Sequence, residues 1–214
     1  DGKNIQKIIY LWMLKYSNFK KRVWDNSLIS TRVISWILNS DIIINNGTFE
    51  FKKNFFQNII TQCNHIKKNV GYENNQLIKI QMLTALILSG LAFKEYEKNF
   101  NDAISELEKF IKGYYDQDGF PRSRNPNDLT FLTKYLLLIS ETIKDSQKYL
   151  PEFLEDIIGK SLECISIIKT PDEKVPFFNG GSENNIAPFE KYLENISSKK
   201  KKGKNIIGGL FYAK

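Results

Sequence analysis

The chain has 214 residues, 42% of them apolar, a formal charge of +7 and a pI near 9.2. That is enough chain to bury a real core, and the two distant cysteines, Cys63 and Cys164, have neither metal-site nor disulfide-framework spacing, so no metal and no cofactor are expected. No apolar run approaches the roughly 20 residues that cross a bilayer, so no membrane span is expected; no basic-then-apolar-then-small signal pattern opens the chain, which begins at Asp1, and the compartment stays open.

Residues 4–17 set Ile5, Ile8, Ile9, Trp12 and Met13 at helical spacing, predicting one apolar face. A second helix follows Asp25-Asn26-Ser27, with Asp or Ser as cap, buries Leu28, Ile29, Val33, Ile34, Ile37 and Leu38, and ends near Asn45-Asn46-Gly47. A third runs from about Phe49 to Lys68. The fourth, about Asn75 to Phe93, is apolar around most of its circumference and belongs at the centre of the fold. A fifth covers about Asn101 to Tyr114, a sixth starts near Asn127, and a seventh starts at Pro151, a residue suited to a first helical turn. Residues 170–188, with three prolines and two glycines, predict an ordered loop, and 189–198 a short helix. Lys199 to Lys204 is a basic connector, and residues 206–213 alternate and branch like a β-strand whose partners lie in a further sheet domain. The expected division is a helical domain over 1–198 and, over 199–214, the connector and first strand of a β domain.

The two long non-helical stretches are where a site is sought, because loops on a rigid helical frame carry function more often than the helices do. The first reads DQDGFPRSRNP, residues 116–126. The chain has four arginines, and two of them, Arg122 and Arg124, stand here. In extended backbone such an alternating pair points the same way and grips a carboxylate or sulfate bidentately; alternatively it pairs with Asp116, Asp118 or Asp128 and only holds the loop. The second stretch contains Asn179-Gly180-Gly181 and Glu183. Asn179 offers an amide to a substrate carboxylate, or is simply a turn residue, and Glu183 adds an acid or base. The positive charge suits a polyanion, nucleic acid or acidic polysaccharide, or is ordinary solvation of lysine-rich helices. No element resembling a nucleic-acid reader is present, so nucleic acid is not the expected partner.

Taken together with the spacing of Trp24, Asp25, Leu28, Arg32 and Trp36, these loops resemble the heparinase II/III-like polysaccharide lyases. Those proteins show a similar Trp-to-Arg-to-Trp helix, a D-G-G-H-x-x-R-[SN]-P loop between helices and an L-F-N-[DG] segment. The matching text is Asp118-Gly119-Phe120-Pro121-Arg122-Ser123-Arg124-Asn125-Pro126, then Phe177-Phe178-Asn179-Gly180, so the likeness runs over residues 24–185. It implies an all-α, incomplete (α/α) toroid of antiparallel helices followed by a β-sandwich, a bacterial and periplasmic setting, and β-elimination on a uronate-containing polysaccharide. Asn179 and Arg124 would then neutralise the uronate carboxylate, and Tyr135, or Tyr114 or Tyr115, all near the Arg loop in sequence, would carry the proton. Arg122, Asp118, Glu183 and Trp24 would bind substrate. The family's histidine falls on Pro121 and its tyrosine on Asp128, and the one histidine, His65, sits mid-helix. Those departures leave open a non-catalytic glycan-binding relative, or a hydrolase using Asp118 and Glu183 as paired carboxylates.

Overall fold

The structure is a computed structural model that describes residues 2–45, 47–182, 184–197, 206–207 and 210–211. It is 74% helical and 2% strand, which makes the class all-α. The chain falls into two compact units, 1–105 and 106–214, with the division inside the sixth helix.

In the first unit α1 (Gly2–Tyr16), α2 (Asn26–Leu38), α3 (Ser40–Ile44), α4 (Phe49–Asn69) and α5 (Gln76–Ala92) precede α6 (Glu97–Tyr114). The starts of α2, α4 and α5 have a local cause. Asp25 Oδ1 accepts from the amide of Ser27 at 3.0 Å, Thr48 Oγ1 from that of Phe51 at 3.2 Å and Asn75 Oδ1 from that of Leu77 at 3.0 Å. These caps satisfy amides that a helix's first turn leaves without partners. The second helix is shorter than its apolar pattern predicts: it stops at Leu38, where the Asn39 side chain donates to the Ser35 carbonyl at 2.8 Å and the backbone leaves helical values.

The α5 helix is central to its unit, as its composition predicts. Every residue from Ile80 to Gly90 is buried, and the helix packs on α2 and α4. Its polar members are satisfied: Thr84 Oγ1 donates to the Ile80 carbonyl at 2.7 Å, Ser89 Oγ to that of Leu86 at 2.8 Å, and Ser27 Oγ to Gln81 Oε1 at 2.9 Å. Arg32 ties α2 to its surroundings. Its guanidinium donates to Gln62 Oε1 at 2.7 Å and the Val23 carbonyl at 2.8 Å and lies 4.3 Å from the Trp12 ring. Burial pulls it down to about 10, still charged at neutral pH. The first helix carries a narrower inward face than its spacing predicts, since Ile9 and Met13 are buried but Ile5 and Ile8 are exposed.

In the second unit α7 (Pro126–Asp145) packs on α8 (Glu152–Ile168), and α8 on α9 (Glu190–Ser197). Pro126 sits in the first turn of α7 behind the cap Asn125, and Pro151 immediately precedes α8. Between α8 and α9 the expected ordered loop contains an antiparallel pair, β1 (Lys174–Val175) with β2 (Asn184–Asn185). Near the end of the chain β3 (Ile206–Ile207) pairs antiparallel with β4 (Leu210–Phe211). The run expected to be one strand therefore folds back on itself. The rest of 198–214, including the Lys199–Lys204 connector, lies outside the described residues.

The Phe100 backbone approaches α5 closely at Gly90. A Cβ there would lie 2.4 Å from the Phe100 amide nitrogen and 2.7 Å from Phe100 Cβ. Backbone cannot yield as a flexible side chain does, so Gly90→Ala is expected to destabilise the protein by about 1–3 kcal/mol in urea unfolding, although alanine is the better helix former.

Candidate functional site

The loop between α6 and α7 is built on Asp116. Its Oδ1 accepts from the amides of Asp118 at 3.0 Å and Phe120 at 2.9 Å, and its Oδ2 pairs with the Arg124 guanidinium. The backbone closes above it: the Asp116 amide donates to the Phe120 carbonyl at 3.0 Å and the Arg122 amide to the Tyr114 carbonyl at 2.8 Å, with Tyr115 bridging Pro121. The tip is pressed onto α8. Phe120 is fully buried, Ser161 Oγ donates to the Gly119 carbonyl at 3.1 Å, and Cys164 Sγ donates to that of Asp118 at 3.3 Å.

The second loop meets the first. Asn179 Nδ2 donates to the Arg124 carbonyl at 3.0 Å, and the Asn127 amide pairs with the Ser182 hydroxyl at 2.8 Å. Both Arg124 and Asn179 hold left-handed backbone, with φ of 57° and 49°. Arginine rarely adopts that region, and about 1 kcal/mol or more must be recovered from the contacts it makes. Gly181 stands close enough to Asn125 and Pro126 that a Cβ would be 3.3 Å from Asn125 Oδ1 and 3.4 Å from Pro126 Cδ. The two stretches singled out in the sequence thus form one surface within one compact unit.

The arginine pair divides its labour. Because residues 121–124 form a turn, closed by the Arg124 amide on the Pro121 carbonyl at 3.0 Å, the backbone is not the extended segment that would aim both side chains alike. Arg124 is held by Asp116 and belongs to the loop's own scaffold. Arg122 is exposed and, among the described residues, has no carboxylate partner. Asn179 is likewise a clasp, its amide nitrogen given to a backbone carbonyl. Asp118 is half-buried at the tip.

Beside Arg122 lies a proton-handling pair that spacing alone does not single out. The Tyr114 phenol donates to Asp128 Oδ2 at 3.2 Å. Burial pushes this phenol above its ordinary value; a Ser123 hydrogen bond opposes the shift and the Asp128 carboxylate reinforces it, so Tyr114 is protonated at neutral pH. Its neighbour Tyr115 is buried, and burial pushes its phenol far up, an effect the Ser161 side chain opposes. Tyr135 stands half-buried against Phe131, with ring centroids 5.0 Å apart. It lies nine residues along α7 from Pro126, about 13 Å down the axis and away from the loops.

Trp24, in the first unit, is 5% exposed, donates its indole N–H to the Tyr16 carbonyl at 2.9 Å and packs edge-on to His65, so no ring face is open for a sugar. Burial, with Lys68, lowers His65 below its ordinary value, and its ring stacks on Phe19. Glu183 lies outside the described residues. No group of three metal-ligating side chains occurs among the described residues. Comparison with protein-family models, with curated proteins and with solved structures finds no match.

Gly119 and Gly159 provide opposite expectations in the same unit. Gly119 has φ of +87°, and a Cβ there would lie 2.4 Å from Lys160 Cβ and 3.0 Å from the Lys160 carbonyl carbon; nothing lies within 4 Å of one at Gly159, inside α8. Gly119→Ala is expected to cost about 2–4 kcal/mol by lifting the loop off α8, and Gly159→Ala to stabilise by about 0.5–1 kcal/mol, both read from denaturant midpoints.

Proposed function

We propose that this chain is the helical part of a polysaccharide lyase of the heparinase II/III-like kind, acting on a uronate-containing polysaccharide by β-elimination. In this reading the helices belong to an incomplete (α/α) toroid that precedes a β-sandwich. The observation that carries the proposal is the 3.0 Å hydrogen bond from Asn179 to the Arg124 carbonyl, because it joins the two motif-bearing loops that a single cleft requires.

β-Elimination removes the proton at C5 of a uronate and expels the glycosidic oxygen at C4, leaving a carbon–carbon double bond. The C5 proton is acidic enough only when the adjacent carboxylate is neutralised, which a fixed cation accomplishes. Arg122 is assigned that role, since Arg124 is already committed to Asp116. Tyr114 and Asp128 are assigned the proton: the phenol gives its proton to Asp128 as its oxygen takes the one from C5, and the proton held between them returns to the departing C4 oxygen; Tyr114 stands at the end of α6 beside the Arg122 loop. The family's histidine and tyrosine positions hold Pro121 and Asp128 here, and this favours a second reading, a glycan-binding relative that does not cleave.

The test is ultraviolet absorbance of the unsaturated uronate product when the complete protein is incubated with alginate-type and heparan-type polysaccharides. Arg122→Ala is expected to lower the rate at least about 100-fold, as loss of one transition-state charge contact does, and Tyr114→Phe by a comparable factor with folding retained. Binding of the same polysaccharides without any rise in absorbance would establish the glycan binder, and absence of both would reject an acidic-glycan function.

A further inference from the structure

The outward side of α1 is unusual for a helix that also has a core to cover. At about 100° per residue, Ile9 and Met13 point inward, while Lys7, Leu11 and Leu14 stand opposite, flanked by Ile8, Tyr10, Lys3 and Lys15. Ile8, Leu11 and Leu14 are 67%, 54% and 66% exposed, and all three lysines are exposed. Residues 2–24 include no carboxylate at all, against six cations, the others being Lys20, Lys21 and Arg22 of the following loop, which are exposed as well. The loop adjoins the end of the helix: the ammonium groups of Lys15 and Lys20 lie 5.3 Å and 5.2 Å from the Tyr16 ring centroid. The next carboxylate after this stretch, Asp25, is engaged in capping α2.

We infer that α1 and the loop behind it form a docking face for an anionic bilayer surface. The helix would lie in the plane of the interface, with Ile8, Leu11 and Leu14 among the acyl chains and the lysines on the headgroups. No helix of the described residues is long and apolar enough to cross a membrane. Charge complementarity names the occupant. A second copy of this face would oppose cation to cation. Protein interfaces tend to exclude lysine from their apolar centres, whereas here Lys7 stands between Leu11 and Leu14 on the helix surface, an arrangement that suits a bilayer because a lysine stem follows apolar surface while its ammonium stays at the headgroups. Each added cation strengthens attraction to an anionic leaflet and is screened by salt.

The experiment is flotation of the protein with vesicles of phosphatidylcholine alone and with about one third phosphatidylglycerol, at low and high salt. Binding is expected on the anionic vesicles only, falling about tenfold in the triple variant Lys3→Gln, Lys7→Gln, Lys15→Gln and comparably in Leu11→Ser with Leu14→Ser. These side chains are exposed, and circular dichroism is expected to show the fold unchanged. A charge-matched control, Lys53→Gln with Lys94→Gln and Lys98→Gln, should retain binding. Equal loss in that control, equal binding to neutral vesicles, or no vesicle binding would overturn the inference. So would binding of polyglutamate that survives the serine substitutions without vesicle binding, an outcome that would assign the face to an acidic protein.

Discussion

The Asp116 carboxylate is the constraint on which the candidate site depends. One oxygen gathers the amides of Asp118 and Phe120, and the other holds Arg124. Charge-assisted hydrogen bonds of this kind are roughly twice as strong as neutral ones, and together they fix the turn that buries Phe120 against α8. Only with the guanidinium so anchored does Arg124 keep its left-handed backbone, and only in that conformation does its carbonyl present itself to Asn179. The outward placement of Arg122 is thus a consequence of its neighbour being tied down.

Most of the helices were legible because burial imposes a period that the sequence cannot hide. The apolar circumference of residues 75–93 announced a central helix, and the proline at 151 marked the start of α8. The break at Asn39 was not legible, because the apolar residues run on beyond it through Ile42, Ile43 and Ile44. The outer face of α1 misled for a different reason: isoleucine at helical spacing predicts a buried stripe, yet spacing does not say how wide that stripe is, and Ile5 and Ile8 fall outside it.

Within the site, the two loops could be found from composition but the roles of their residues could not. Arg122 and Arg124 are chemically identical, and what separates them is a positive φ and the reach of Asp116. Trp24 looks equally suited to stacking a sugar or filling a core until its burial and its bond to Tyr16 are known. The Tyr114–Asp128 contact spans 14 residues, from the end of one helix to the first turn of the next, a separation set by the loop's fold rather than by any periodic pattern. Residues placed by regular backbone are readable in advance, and residues placed by irregular backbone are not.

The two cysteines carry one more consequence. Cys63 lies buried in α4, its thiol pushed up to about 12 by burial, and Cys164 lies buried in α8 with its sulfur directed at the Asp118 carbonyl. Thiol reagents attack the thiolate, so neither sulfur should react while its surroundings stay closed. Because one cysteine belongs to each compact unit, the two alkylation rates would time the opening of the two units separately in a single protein, without any engineered label.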